Sequence, residues 1–313
     1  MLEQSDRAVL LLFGGTVGGL VLATLAGFAL RALRGESPAL SNFLSRVWSS
    51  WVLALVLWAA FLTGRAGAVL LFGAASVLAL REFTRLTEAG RSDRLALAAA
   101  FWVLLPLQYL FVLLGRYGLF TILIPVYGFL VLPILSVLGN ETRQFMARVS
   151  ELQWGLMLGG FCLSHVPALL LVDLPGPEGR GILLVAFLIV VVQSSDLFQY
   201  AWGKLLGRHR LAPAVSPSKT WEGLVLGVAS GTLVGAALWR LTPFSVPEAA
   251  AMALIVTLMG AFGGLVMSAL KRDRGVKDWG TLIPGHGGVL DRLDSVLFAA
   301  PVFFHLTRFG WSG

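Results

Sequence analysis

"GILLVAFLIVVVQSSDLFQYAWGKLLG" (residues 181–207) carries the reading of the fold. From 181 to 203 it is apolar enough, and long enough, to cross a bilayer as a helix, which takes roughly 17 to 25 residues. Yet Gln193, Asp196 and Tyr200 stand inside it at i, i+3 and i+7, on one helical face, with Lys204 a turn further on. An acid within a span costs about 2.5–3.5 kcal/mol on insertion scales and marks function by default. The alternative for this face is a polar packing network.

The rest of the chain repeats the apolar half of this pattern. Of 313 residues, 57% are hydrophobic and only 13% charged, more than a water-soluble domain of this length needs for its core. Further spans fall near 8 to 30, 95 to 115, 117 to 139, 152 to 173, 222 to 242, 248 to 270 and 289 to 309. The block 47 to 80 divides into two at "TGRAG" (63 to 67). An all-α, polytopic membrane protein of about ten helices is expected. Long unbroken apolar runs exclude a β-barrel, whose strands would alternate over about ten residues.

Lys and Arg set the orientation. With the N-terminus outside, the inner loops hold Arg31, Arg34 and Arg46; Arg81, Arg85, Arg91 and Arg94; Arg143 and Arg148; Lys204, Arg208, Arg210 and Lys219; and Lys271, Arg272, Arg274, Lys277 and Arg292. That is eighteen of the 24, as the positive-inside rule requires. A cytoplasmic (inner) membrane location follows, with loops 204–221 and 271–290 facing the cytoplasm. The net charge of +7 is spread along one membrane face. It therefore points to anionic lipid headgroups and away from nucleic acid. The first segment has no basic region before it and is expected to be a retained helix. Cys162 is the only cysteine, which excludes an internal disulfide and assigns it to packing.

Residues 1–150, about five helices, read as structural, because their spans are almost free of unusual polar groups. Residues 151–313 read as the catalytic region. Glycines at four-residue spacing, Gly14 with Gly18, Gly15 with Gly19, and Gly223, Gly227, Gly231 and Gly235, suit close helix packing, with a homodimer interface as the alternative.

The loop after the opening helix brings Ser216, Ser218, Lys219 and Thr220 to a helix start, where free amides and the helix dipole favour phosphate. Further on, "KRDRGVKDWGTLIPGHGGVLDRLDS" (271–295) gathers Asp278, Asp291 and Asp294 among Lys271, Arg272, Lys277 and Arg292. Asp291 and Asp294 lie one turn apart, and Gly285, Gly287 and Gly288 let the loop fold Asp278 back towards them. Such carboxylates can share hard cations such as Mg²⁺. His286 is either a phosphate donor or a loop hydrogen bond. Acids beside phosphate-binding cations suggest phosphoryl or nucleotidyl transfer.

These residues resemble a known family. Ser268, Lys271, Arg272, Lys277, Asp278, "PGHGG" (284–288), Asp291, Arg292 and Asp294 match the signature of the phosphatidate cytidylyltransferases, or CDP-diacylglycerol synthases. "SPSKTWEG" (216–223) and the Asp196/Tyr200 helix resemble that family's two preceding motifs. The resemblance implies that CTP and phosphatidate give CDP-diacylglycerol and pyrophosphate in phospholipid biosynthesis, with Mg²⁺ and a second ion such as K⁺. The metal ligands would be Asp278, Asp291, Asp294 and Asp196. Lys277 would join them in catalysis, and Ser216, Ser218, Lys219, Thr220, Lys271, Arg272, His286 and Arg292 would hold substrate phosphates. "DLFQY" departs from the family's small residues after the first Asp, which leaves another lipid phosphate open as acceptor. A CDP-alcohol phosphotransferase core and a prenyltransferase DDxxD pair are both absent. A transporter would need paired broken helices, whereas these motifs gather at one end and one face.

Overall fold

In a computed structural model that describes residues 2–88, 90–174, 180–283, 285 and 287–311, the chain is almost wholly helical. The helices are α1 (Leu2–Arg34), α2 (Pro38–Leu62), α3 (Gly64–Thr84), α4 (Arg94–Leu113), α5 (Tyr117–Val137), α6 (Phe145–Leu171), α7 (Arg180–Leu206), α8 (Trp221–Ala237), α9 (Val246–Asp273) and α10 (Leu290–Trp311). Wide π turns lie within α4, α5 and α6, at Ala100–Leu104, Leu123–Gly128 and Met157–Cys162.

Eight of these helices, α1 to α7 and α9, contain a span long and apolar enough to cross a membrane. The other two expected spans differ for physical reasons. Helix α8 is shorter, at 17 residues. Helix α10 carries Asp291, Arg292, Asp294 and Arg308. The loop expected before the helix start near Glu222 contains regular structure of its own. Before α8 the chain makes a small antiparallel hairpin, β1 (Arg210–Ala212) with β2 (Ser216–Thr220), so that the predicted phosphate residues of this segment lie on a strand. Thr220 then caps α8, its Oγ1 accepting from the Gly223 amide at 3.1 Å.

The glycine stripe of α8 is spent inside the protein. A Cβ on Gly227 would lie 2.6 Å from the Gln199 backbone nitrogen and 2.7 Å from its Cα. One on Gly231 would meet Ser195 and Thr257, and one on Gly235 would meet Ala253. Helix α8 is thus pressed against α7 and α9 at backbone distance. Gly14, Gly15, Gly18 and Gly19 do not do the same; a Cβ at any of them meets nothing within 4 Å among the described residues. Gly227→Ala is therefore expected to destabilise the protein by about 1–3 kcal/mol, because a rigid backbone has to give way. Thermal unfolding in detergent checks this, with Gly18→Ala as the neutral control.

The two halves meet where Tyr117 of α5 hydrogen-bonds His305 of α10 at 3.2 Å. Phe187 of α7 stacks on Phe303 of α10, ring centroids 5.6 Å apart, within the C-terminal bundle. On the loop side, Arg274 at the end of α9 pairs with Glu151 of α6. In the first half, Asp93 and Arg148 form an almost fully buried ion pair at 2.8 Å.

Candidate active site

The polar face of α7 opens into a cavity of about 780 Å³ bounded by α7, β2, α8, α9 and the start of α10. Gln193, Asp196, Tyr200 and Lys204, the face given by their spacing, line it from α7, and Gln199 joins them. Ser218, Lys219 and Thr220 enter from β2 and its end, and Asp291, Arg292, Asp294 and Ser295 from the first turns of α10. Sequence positions about 100 residues apart thus converge on one space.

Asp196 and Asp294 form the acidic floor. Ser295 lies between them: its amide donates to Asp294 Oδ1 at 2.8 Å, and its hydroxyl is a hydrogen-bond neighbour of Asp196. The Lys219 ammonium reaches towards both acids. It lies over Gly264 of α9, where a Cβ would come 3.2 Å from Nζ. Burial lowers the pKa of Lys219 from its ordinary value, Asp196 and Asp294 oppose that shift, and Lys271 adds to it. Lys204, Arg210 and Arg292 add positive charge to the lining. Acids inside and cations around them suit an anionic ligand that brings or shares a cation.

Asp291 lines the cavity and also ties down the loop before it. Its Oδ1 accepts from Lys271 Nζ at 2.8 Å, and its Oδ2 accepts from the Trp279 amide at 2.8 Å and the Gly288 amide at 2.9 Å. Both oxygens are therefore engaged in holding the 271–290 loop. Gly287 has φ +84° and sits so close that a Cβ would be 2.8 Å from Asp291 Oδ2, so only glycine fits there comfortably. Asp278 and Lys277 are exposed and do not line the cavity, because the loop turns inward at the buried Trp279. Arg272 is also exposed, and its guanidinium donates to the Val276 carbonyl at 2.8 Å. Ser216 and Lys271 lie outside the lining; Lys271 borders it, ion-paired with Asp291 at 2.8 Å and near enough to act on Lys219. His286 falls outside the described residues. Among the described residues, no three His, Cys, Asp or Glu side chains form a metal-holding group.

Glu82 was not legible as a site residue. It sits on α3, 5% exposed, and its two carboxylate oxygens accept from the Val289 and Leu290 amides, each at 2.9 Å. These are orphan donors at the start of α10, so a side chain about 200 residues away caps the helix that presents Asp291 and Asp294. Gly280 and Gly288 pack directly against the same carboxylate. Next to it, Phe83 stacks on Trp279, ring centroids 5.2 Å apart. The end of α3 is thus the platform on which the loop rests. Its only sequence signal was one acid beside the basic run Arg81 to Arg94, where it read as part of a solvated cytoplasmic loop. Arg210, Gly264 and Ser295 also belong to the site without having been singled out.

The chain is similar to known proteins. The profile of the cytidylyltransferase family matches residues 44–309. A phosphatidate cytidylyltransferase of Brucella abortus is 34% identical over 271 residues, covering 85% of this chain and 93% of that one. One from Staphylococcus aureus is 32% identical over 200 residues, covering 61% of this chain and 76% of the other. An uncharacterized Escherichia coli protein, YnbB, is 41% identical over 239 residues, 76% of this chain and 78% of its own. The family match includes α3 with its Glu82 as well as every motif around the cavity. The chain belongs to the cytidylyltransferase family of membrane nucleotidyltransferases.

Proposed function

We propose that the protein transfers the cytidylyl group of CTP to phosphatidate, forming CDP-diacylglycerol and pyrophosphate. The observation that carries this reading is the facing of Asp196 and Asp294 against Lys219 and Arg292 in one cavity beside a membrane-spanning helix. A phosphate oxygen of the lipid attacks the α-phosphorus of CTP in line. The new P–O bond forms as the bond from that phosphorus to the bridging oxygen of the β-phosphate breaks, and the electron pair leaves on pyrophosphate. Lys219, Arg292 and Arg210 neutralise triphosphate charge, and the hydroxyl of Ser218 orients it. No covalent enzyme intermediate is needed.

Asp196, Asp294 and Ser295 offer an all-oxygen donor set. Two carboxylates with room for phosphate oxygens match what Mg²⁺ asks of a protein, so the residues fit the ion. Bound there, it would supply charge neutralisation between the attacked phosphate and the leaving group; a second ion such as K⁺ would share the same acids. Asp291 contributes by holding the loop, together with Lys271. Asp278, Lys277 and Arg272 join only on a rearrangement of the loop around substrate.

In this reading α8 and α10 cross the membrane too, giving ten spans with the N-terminus outside and the cavity at the cytoplasmic face. CTP then arrives from water and the lipid from the leaflet. The names of the Brucella and Staphylococcus relatives agree with this acceptor.

Purified protein given radiolabelled CTP, Mg²⁺ and phosphatidate is expected to produce a lipid-extractable cytidine product and one pyrophosphate per turnover. CTP left intact with phosphatidate, under conditions where the folded protein binds CTP, would sink the proposal.

A further inference from the structure

Gln193 is an exposed primary amide on an apolar helix, and it lines the cavity. Among the described residues it has no hydrogen-bond partner, unlike Gln199, whose amide nitrogen donates to Ser195 Oγ at 3.1 Å. The residues just before it, from Gly181 to Val192, are without a polar side chain. Helix α7 is unbroken from Arg180 to Leu206, so position along it measures depth. At 1.5 Å per residue, Gln193 lies about 4.5 Å deeper than Asp196 and about 16 Å from the level of Lys204. The cavity therefore has a charged level for phosphates and, one helical turn further into the membrane, a neutral one with a free amide.

A polar group facing lipid is costly unless it finds a partner. Phosphate suits the other level better, because the cations of the lining sit on the last turn of α7 (Lys204), on β1 and β2 (Arg210, Lys219) and in the first turn of α10 (Arg292). The chemistry wanted is a neutral acceptor one turn below a phosphate. In a diacylglycerol phosphate seated with its phosphate beside Asp294 and Lys219, that position falls to the glycerol backbone and its ester carbonyls.

We infer that Gln193 is a specificity-determining residue that donates its amide hydrogen to an ester carbonyl of the acceptor lipid. This rests on the cytidylyl-transfer reading of the same cavity. The site then selects acyl esters over lipid phosphates whose chains are joined by ethers, which lack the carbonyl. A neutral hydrogen bond of this kind discriminates by up to about tenfold.

The test compares a diacyl phosphatidate with the dialkyl-ether phosphatidate of the same chain length, in the parent protein and in Gln193→Leu. Leucine keeps the size of the side chain and is at ease in lipid, so the variant is expected to fold. In the parent, KM for the ether lipid should exceed that for the ester by about fivefold to tenfold. In Gln193→Leu, KM for the ester should rise to the ether value, with KM for the ether lipid, KM for CTP and kcat little changed. Gln193→Asn, with a shorter amide, should recover part of the preference. Equal KM values for the two lipids in the parent, or a preference that survives in Gln193→Leu, would overturn the inference while leaving the transfer reaction standing. Loss of kcat on both lipids in Gln193→Leu would also overturn it, since the residue would then serve the reaction centre. A parent protein that turns over neither lipid fails at the earlier step, and the inference goes with the function it rests on.

Discussion

Asp294→Asn is expected to reduce cytidylyl transfer by at least about a hundredfold without unfolding the protein. Asparagine keeps the side chain's volume and its Oδ1, so the Ser295 amide at 2.8 Å still has an acceptor. What disappears is one of the two negative charges facing Lys219 in the cavity, and with it half of the carboxylate set available to a cation. Electrostatic groups aimed at a reacting phosphate commonly contribute two to three orders of magnitude, because the preorganised site need not reorient as charge shifts. Initial rates against Mg²⁺ concentration check the assignment. If the acid holds the cation, the Mg²⁺ requirement should move to higher concentration as well as the rate falling. An Asp294→Asn enzyme with parental rate and Mg²⁺ dependence would remove this residue from the reaction. Asp291→Asn makes a useful contrast, since its effect should arrive through the loop it ties to Lys271, Trp279 and Gly288 and should be accompanied by lower stability.

Glu82→Ala is expected to lower activity by a comparable factor from outside the cavity. The substitution leaves the Val289 and Leu290 amides without their acceptor, at about 1–3 kcal/mol for each orphaned donor that stays buried. It also removes the negative charge from the N-terminus of α10 and opens a space beneath Gly280 and Gly288. The loop from Gly275 to Val289 should then loosen, and Asp291 and Asp294 with it. Limited proteolysis separates this effect from a general loss of fold: cleavage should appear within 275–289 while the rest of the chain keeps its parental resistance. Full activity with an uncut loop would show that the capping contact is dispensable.

Asp294 and Glu82 mark how unevenly the site could be read from consecutive residues. Asp196 was plain: an acid in an apolar helix, with Gln193 and Tyr200 at helical spacing, already names one face, and that face is the cavity wall. Lys219, Asp294 and Arg292 were legible for a related reason. The positive-inside rule accounts for the cations but not for an acid among them, and Lys219 stands at a helix start, where phosphate is favoured. The same reasoning grouped Asp278, Lys277 and Arg272 with them by proximity in the chain, and the structure leaves these three at the surface. A loop residue's direction is set by what anchors its neighbours. Here the anchor is Trp279, buried against Phe83, so the two residues before it point away from the cavity lining.

What the sequence by itself determined is the helical membrane architecture, the polar face of α7 and the family. Each depends on local periodicity, composition or a short motif, all of which are written in consecutive residues. What only the tertiary structure decided is the division of labour among the acids. Asp196, Asp291 and Asp294 line the cavity, Asp291 alone also accepts from Lys271 and two loop amides, and Glu82 supports the loop from the other half of the chain. The physical reason is that a carboxylate's role depends on which donors reach its two oxygens. Those donors come from segments that only folding brings together.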